Sequence, residues 1–119
     1  MSERDPHQRE KHLTDAHKIS ALKRSMPSND DLNDMSQFFG FLADPTRLKI
    51  VINLKKSVLC VHEIAEVVGM SLSAVSHQLR LLKTAKMVKS RRDGKMVIYS
   101  LDDEHIGQLL SVADEHIKE

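Results

Sequence analysis

The sequence predicts a mainly α-helical fold that carries one small β-hairpin. Apolar residues recur at three- and four-residue spacing along most of the chain, as they do in amphipathic helices. Two short segments of this kind are separated by Gly69 and Ser71, which are suited to end one helix and to cap the next. Farther along, Asp93 and Gly94 separate two β-type runs, and this dipeptide is the strongest short-range signal for a hairpin turn.

The composition is that of an ordinary soluble protein, with 40% hydrophobic and 29% charged residues among 119. A chain of this length forms one domain and gains stability from dimerisation. No apolar run approaches the roughly 18 residues of a membrane span, and the polar N-terminus lacks the apolar core of a signal peptide. The single cysteine, Cys60, excludes an internal disulfide. We therefore expect a cytoplasmic protein without a membrane partner.

The N-terminal segment divides into an arm and a first helix. Residues 1–12 are polar and lack periodicity, which predicts a flexible arm ahead of a single domain over residues 13–119. Residues 13–26 predict a helix that Pro27 ends.

Two further helices are expected before the central segment. Asn29 or Asp30 is suited to cap the second helix, which reaches residue 43. Its apolar side chains are expected to face inward: Leu32, Met35, Phe38, Phe39 and Leu42. Asp44 and Pro45 supply the cap and the first-turn proline of the third helix.

Residues 61–85 predict two short helices that cross through a tight turn, which is a helix-turn-helix pattern. The second helix turns an apolar stripe inward and a polar face outward. We expect this outward face to contact DNA through Ser73, Ser76, His77, Arg80 and Lys83, because serine and arginine bind base edges and phosphates. A solvated helix face is the simpler alternative, and the features that follow argue against it.

A basic hairpin over residues 87–101 follows directly, and we interpret it as a wing that adds Arg91, Arg92 and Lys95 to the DNA contacts. Between Arg80 and Lys95 there are seven basic residues against one acidic residue. From Asp102 to Glu119 there are six acidic residues against Lys118 alone. The formal net charge of +1 hides this asymmetry, which suits the first region to phosphate and the second to cations. Aromatic residues make up only 3%, which disfavours binding of single strands by base stacking.

The final segment, residues 102–118, predicts a helix with an acid and imidazole pair near each end: Asp103 and His105, then His116 and Glu119. The two histidines are eleven residues apart, which places them on nearly the same side of a helix but about 16 Å apart along its axis. One chain therefore cannot close a four-ligand site. An antiparallel copy of the helix would bring the two pairs together, giving two identical sites in a homodimer.

Four stretches resemble the ArsR/SmtB family of metal-sensing winged-helix repressors: residues 41–48, 59–61, 73–80 and 99–101. The resemblance implies a winged helix-turn-helix homodimer that associates through its first and last helices. It also implies that the metal-free dimer binds operator DNA and that metal releases it, switching on efflux or sequestration genes.

The same resemblance implies particular ligands. Asp103, His105, His116 and Glu119 match the family's metal site on the last helix, and His116 would reach the backbone carbonyl of Lys86. A second family site is matched in part by Cys60 and Glu63, with His62 at a position where the family has a second cysteine. The arm and first helix offer His7, His12 and His17 to that site, but no cysteine.

Two imidazoles and two carboxylates suit Zn(II), with Co(II), Cd(II), Ni(II) or Pb(II) as alternatives. All four positions are filled by protein, which leaves no place for a catalytic water and disfavours a small zinc hydrolase. A different alternative is a regulator that senses thiol oxidation at Cys60 or a metal at the Cys60 site. Cys60 is equally compatible with a role as a small buried apolar residue.

Overall fold

The computed structural model describes residues 6–119, with side chains from Asp15 onward. Six helices and three strands follow one another along the chain. In order they are α1 (Pro6–Arg24), α2 (Asn29–Leu42), α3 (Pro45–Lys56), β1 (Leu59–Cys60), α4 (Val61–Val68), α5 (Leu72–Thr84), β2 (Val88–Asp93), β3 (Met96–Leu101) and α6 (Glu104–Lys118). Within the described residues, those up to Ser36 form one compact unit and Gln37–Glu119 form another.

The start of the chain differs from expectation at two points. α1 begins at Pro6, within the segment predicted as an arm, and a proline in the first turn suits a helix start because its missing N–H has no partner there. The cap of α2 is Ser28, whose Oγ accepts the backbone N–H of Asp31 at 3.1 Å. The prediction of Asn29 or Asp30 as the cap was therefore wrong, because a serine one residue earlier supplies the same kind of acceptor oxygen.

The core of the larger unit is built where α3, α4 and α5 meet the sheet. Its fully buried side chains are Ile50, Val51, Ile64, Val75, Leu79, Leu82, Met87 and Val88. Each buried side chain of this size contributes about 1.5–3 kcal/mol through removal of apolar surface from water. This core holds the two helices of the helix-turn-helix against α3.

The sheet has three strands in the order β1, β3, β2 rather than the hairpin alone that was expected. β2 and β3 pair antiparallel from Val88 opposite Leu101 to Asp93 opposite Met96, with Gly94 in the turn at φ 65°. β1 pairs with β3 through Leu59 opposite Tyr99. Two residues are too few for an alternating pattern to show in the sequence, so this strand is recognisable only from its pairing.

α6 packs against the unit through its first half only. Ile106 and Leu110 are buried, and the Cα of Gly107 lies so close that an added Cβ would be 3.6 Å from Lys55 Cγ. Ile117 is 79% exposed, although the helical spacing of Ile106, Leu109, Leu110, Ala113 and Ile117 in the sequence predicts one buried stripe. The stripe of α2 differs from expectation in the same way, since Leu32, Met35 and Phe39 are exposed while Leu42 is buried. Among the helices in the described part of the chain, none has the length and apolar character needed to cross a membrane.

Candidate nucleic-acid interface and metal centre

The orientation of α5 follows from the turn that precedes it. Gly69 adopts φ 71°, a left-handed conformation that ends α4, and its backbone N–H donates to the carbonyl of Ala65 at 2.9 Å. Ser71 then caps α5 by accepting the N–H of Ala74 at 3.1 Å. Since Val75, Leu79 and Leu82 of α5 are buried, its opposite face is turned to solvent. The turn residues predicted from the sequence thus have the predicted conformations.

This solvent-facing side carries the residues expected to contact DNA. Ser73, His77 and Arg80 are exposed and Ser76 is half-buried. Lys83 is exposed as well, but its Nζ donates to Ser90 Oγ on β2 at 2.7 Å. Lys83 therefore connects the end of α5 to the hairpin, a contact that spacing along one helix could not indicate.

The hairpin presents its basic residues in the expected place. Arg91, Arg92 and Lys95 are exposed, and Arg91 lies 4.0 Å from Asp93, a contact too long and too exposed to neutralise it. In the strand register Ser90 and Arg92 share one face of β2, while Arg91 lies on the other. Because Lys83 contacts Ser90, Arg92 projects on the face of the hairpin nearer α5.

One arginine outside the predicted site residues, Arg47, forms a hydrogen bond to the side of α5. Arg47 lies in the first turn of α3, and its Nε donates to Gln78 Oε1 at 3.1 Å. Its second guanidinium nitrogen, Nη1, donates to the carbonyl of Phe41 at 3.2 Å, and its Cζ lies 4.1 Å from the centre of the Phe41 ring. One half-buried side chain thereby joins the end of α2 to the middle of α5.

The loop that follows α5 is a Schellman motif with a lysine at its left-handed position. Lys86 has φ 60°, its N–H donates to the carbonyl of Lys83, and the N–H of Met87 donates to that of Leu82. The carbonyl of Met87 in turn accepts the N–H of Asp102 at 3.0 Å. The loop that follows α5 is therefore hydrogen-bonded to Asp102, two residues before α6 begins.

Asp103 and His105 form a pair at the start of α6. Asp103 caps the helix, because its Oδ1 accepts the N–H of His105 at 2.9 Å. The same oxygen lies 3.4 Å from Nδ1 of the His105 ring. Two ligand atoms about 2.0–2.1 Å from a tetrahedral zinc ion are about 3.3 Å apart, so this spacing is that of two neighbouring ligands. Both side chains are exposed, with 52% and 82% of their surface accessible.

His116 and Glu119 lie at the other end of α6 and are likewise exposed. In the part of the chain that the structure describes, no three histidine, cysteine, aspartate or glutamate side chains come together in one metal-binding cluster. One chain thus supplies two separate pairs, as helix geometry requires.

Residues of the other predicted metal site lie at the start of α4, and Glu63 takes part in capping that helix. Cys60 is buried, and its backbone N–H donates to Glu63 Oε1 at 2.9 Å, so one oxygen of this carboxylate is engaged as a cap. His62 is exposed beside it, and His17 is exposed on α1. The side chains of His7 and His12 lie outside the described residues.

Comparison with known proteins identifies the family and the fold to which this architecture belongs. A family model described as bacterial regulatory protein, arsR family, matches residues 44–90, from the cap of α3 into β2. The solution structure of a homodimeric winged helix-turn-helix DNA-binding domain from Mycobacterium bovis superposes with a TM-score of 0.71 at 26% identity, covering 80% of this chain and 91% of that one. The predicted winged helix-turn-helix fold is confirmed.

Two relatives extend the match over most of the chain. The transcriptional repressor SmtB homolog of a Synechocystis species is 38% identical over 107 residues, or 90% of this chain and 81% of the relative. The cadmium resistance transcriptional regulatory protein CadC homolog of Staphylococcus aureus is 39% identical over 103 residues, or 86% and 84%. The chain therefore belongs to the ArsR family of bacterial regulatory proteins, and it is a transcriptional regulator rather than an enzyme.

Proposed function

We propose that this regulator is a repressor that binds operator DNA without metal and is released when Zn(II) binds between its two subunits. Release would switch on genes for metal efflux or sequestration in the cytoplasm. The observation that carries the proposal is the pair Asp103 and His105, whose side-chain atoms lie 3.4 Å apart at the start of α6. That distance suits two ligands of one zinc ion, and both side chains are open to a partner.

The remaining two ligands come, in this proposal, from His116 and Glu119 of the second subunit. Two α6 helices that pack antiparallel about a two-fold axis bring the start of each beside the end of the other, which closes two identical sites. The exposed apolar residues of α6 support such a contact, since Val112 is 64% and Ile117 79% exposed. α1 offers a similar surface in Ile19 and Leu22, which supports an interface made by the first and last helices.

The donor set favours zinc among the available metals. Imidazole nitrogen and carboxylate oxygen are ligands of borderline or hard character, and neither is a thiolate. Zn(II) accepts four such ligands in a tetrahedron, and Co(II) can replace it as a spectroscopic probe. Cd(II), Ni(II) and Pb(II) remain alternatives, of which the softer ions would gain most from a cysteine.

Contact with DNA is assigned to the exposed face of α5 and to the hairpin. Their basic residues favour phosphate, and the serines and Arg80 reach toward base edges. A dimer would place two α5 helices in successive major grooves about 34–36 Å apart, the spacing of one helical turn of DNA. Zinc bound between the α6 helices would hold the dimer in a geometry that no longer fits this spacing.

The proposed link from metal to DNA passes through the loop after α5. A ligating histidine usually donates its second ring N–H to a carbonyl, and we assign the Lys86 carbonyl as the acceptor for His116. This loop supports the role, because Met87 is hydrogen-bonded to Asp102, the neighbour of a proposed ligand. The coupling is reciprocal, so DNA must weaken zinc binding by the same factor, about 5–150-fold for a typical coupling.

A second metal site at Cys60, Glu63 and His62 is the subordinate proposal. It would need ligands from His7, His12 or His17 of the partner subunit's first helix, and a glutamate whose second oxygen is free of the capping bond. Oxidation of Cys60 is its thiol-based counterpart. Because Cys60 is buried and a buried thiol is slow to react, metal binding and oxidation at Cys60 are both less favoured than metal binding at α6.

The deciding experiment titrates Zn(II) and Co(II) into the wild-type protein while operator binding and optical absorption are followed on one sample. Release of DNA at two metal ions per dimer, with no sulfur charge-transfer band, is expected. His116→Ala should abolish release and retain DNA binding, while Glu115→Gln, an exposed residue of the same helix outside both proposed ligand sets, serves as the matched control. If operator affinity is unchanged by excess zinc, the sensor proposal fails. Release that survives in His116→Ala but not in Cys60→Ser moves the sensing site to Cys60.

A further inference from the structure

We propose that Arg47 is a positioning residue for DNA recognition that fixes the orientation of α5 through Gln78. The proposal rests on the DNA-binding function proposed above and adds a residue outside the helix-turn-helix and the hairpin. Its basis is the pair of contacts from one guanidinium, to Gln78 Oε1 at 3.1 Å and to the Phe41 carbonyl at 3.2 Å.

The core positions α5 by packing of apolar side chains rather than by directional contacts. Val75, Leu79 and Leu82 hold the helix by apolar contacts, which are not directional and tolerate slight turning about the helix axis. Base contacts do not tolerate it, because hydrogen bonds weaken steeply when distance and angle depart from their narrow range. Directional contacts restrict such turning: Lys83 supplies one at the end of α5, and the edge of the buried stripe is where a second acts on the middle of the helix.

Gln78 lies at that edge. It is half-buried, between the buried Leu79 and the exposed His77, and its amide oxygen points to Arg47 rather than to solvent. A glutamine on a recognition helix is well suited to bind adenine, but the amide oxygen of this one is already engaged. We therefore assign Gln78 to orienting the helix, not to base contact.

Arg47 is itself held rigidly. Its backbone N–H donates to Asp44 Oδ2 at 2.9 Å, which fixes its position in the first turn of α3. Its guanidinium lies on the Phe41 ring at 4.1 Å, and the planar fork then makes its two hydrogen bonds with little further loss of freedom. A lysine has a single ammonium on a flexible stem and would not brace both partners at once.

The test uses three variants and one control, with two duplexes: the sequence that the wild-type protein selects from a randomised pool, and an unrelated sequence of equal length. The variants are Arg47→Met, Gln78→Met and the double replacement. Lys49→Met is the control, because it removes a positive charge from an exposed position of the same helix. Affinity for both duplexes is measured over a range of salt concentrations in the metal-free state.

We expect the ratio of selected to unrelated affinity to fall about tenfold in both single variants, as for loss of a hydrogen bond to a charged group. The double variant should lose no more than either single one, because both remove the same contact. Binding to the unrelated duplex and its salt dependence should match the wild type and the Lys49→Met control.

Several results would overturn the assignment. Additive losses in the double variant would show that the two residues act separately. A slope of log affinity against log salt that is smaller by about 0.9 in Arg47→Met would identify Arg47 as a direct phosphate contact. An unchanged affinity ratio in Gln78→Met would refute the role even if Arg47→Met failed to fold. Zinc-dependent release is measured separately on the wild type, so failure of the sensor proposal is distinguishable from failure of this one.

Discussion

Replacement of Asp103 should separate two roles that one carboxylate has at the start of α6. Its Oδ1 caps the helix by accepting the His105 N–H at 2.9 Å, and we propose the same side chain as a zinc ligand. Asp103→Ala removes both roles. Asp103→Asn keeps a capping oxygen but removes the negative charge that a metal ion requires.

The size of each effect follows from the local geometry. Loss of an N-cap side chain costs about 1 kcal/mol, whereas asparagine caps as well as aspartate. Asparagine loses only the interaction of a charge with the helix dipole, about 0.3 kcal/mol for a side chain that is 52% exposed. At about 4 °C per kcal/mol, the melting temperature should fall by about 4 °C for alanine and about 1 °C for asparagine.

The same two variants should differ in thermal stability but lose zinc affinity to the same extent. Mutation of a residue that only supports a metal ligand typically lowers metal affinity by about 10–100-fold. Loss of a ligand itself should therefore weaken zinc binding by more than about 100-fold in both Asp103→Ala and Asp103→Asn. Thermal unfolding with a chelator at fixed protein concentration measures the first effect, and zinc titration against a competing dye measures the second. Wild-type zinc affinity in Asp103→Asn would refute the ligand assignment, and equal melting temperatures for the two variants would refute the capping argument.

Two other replacements test the loop and the hairpin. Lys86→Gly should stabilise the protein by about 0.5–1 kcal/mol. A residue with a Cβ costs about 1–2 kcal/mol in the left-handed conformation, and glycine offsets part of that difference because its unfolded chain has more conformational entropy to lose. A lower denaturant midpoint for the variant would contradict this expectation. Arg92→Ala should reduce the slope of log DNA affinity against log salt concentration by about 0.9, the amount for one phosphate contact. The control Glu66→Gln on α4 should leave that slope unchanged. An unaltered slope for Arg92→Ala would show that Arg92 does not contact phosphate.

The parts of the fold that the sequence predicts best depend on residues with special backbone requirements. Gly69, Ser71 and Gly94 each have the conformation or capping contact that their residue type favours, so the two helices and the hairpin were recognisable from local pattern. β1 was missed because it has two residues and exists only through pairing with β3.

Errors in the predicted core have a different cause. Periodicity identifies an apolar face but not what covers it, and the faces of α2 and α6 that include Phe39 and Ile117 are open to solvent in the single chain. The contact of Arg47 with Gln78 joins residues 31 apart in sequence, beyond any helical repeat. The proposed metal ligands follow from the sequence as two pairs, because their spacing on one helix limits what a single chain can close.

The hydrogen bond from the Asp102 N–H to the Met87 carbonyl is made entirely of main-chain atoms. Any residue except proline at position 102 can make it, so it places almost no demand on the side chains around it. If the start of α6 binds metal as proposed, its ligands can be exchanged without loss of the hydrogen bond that connects this region to the loop after α5. In the proposed function, substitutions can therefore change the metal-sensing residues of α6 while the main-chain connection to the DNA-binding helix is retained.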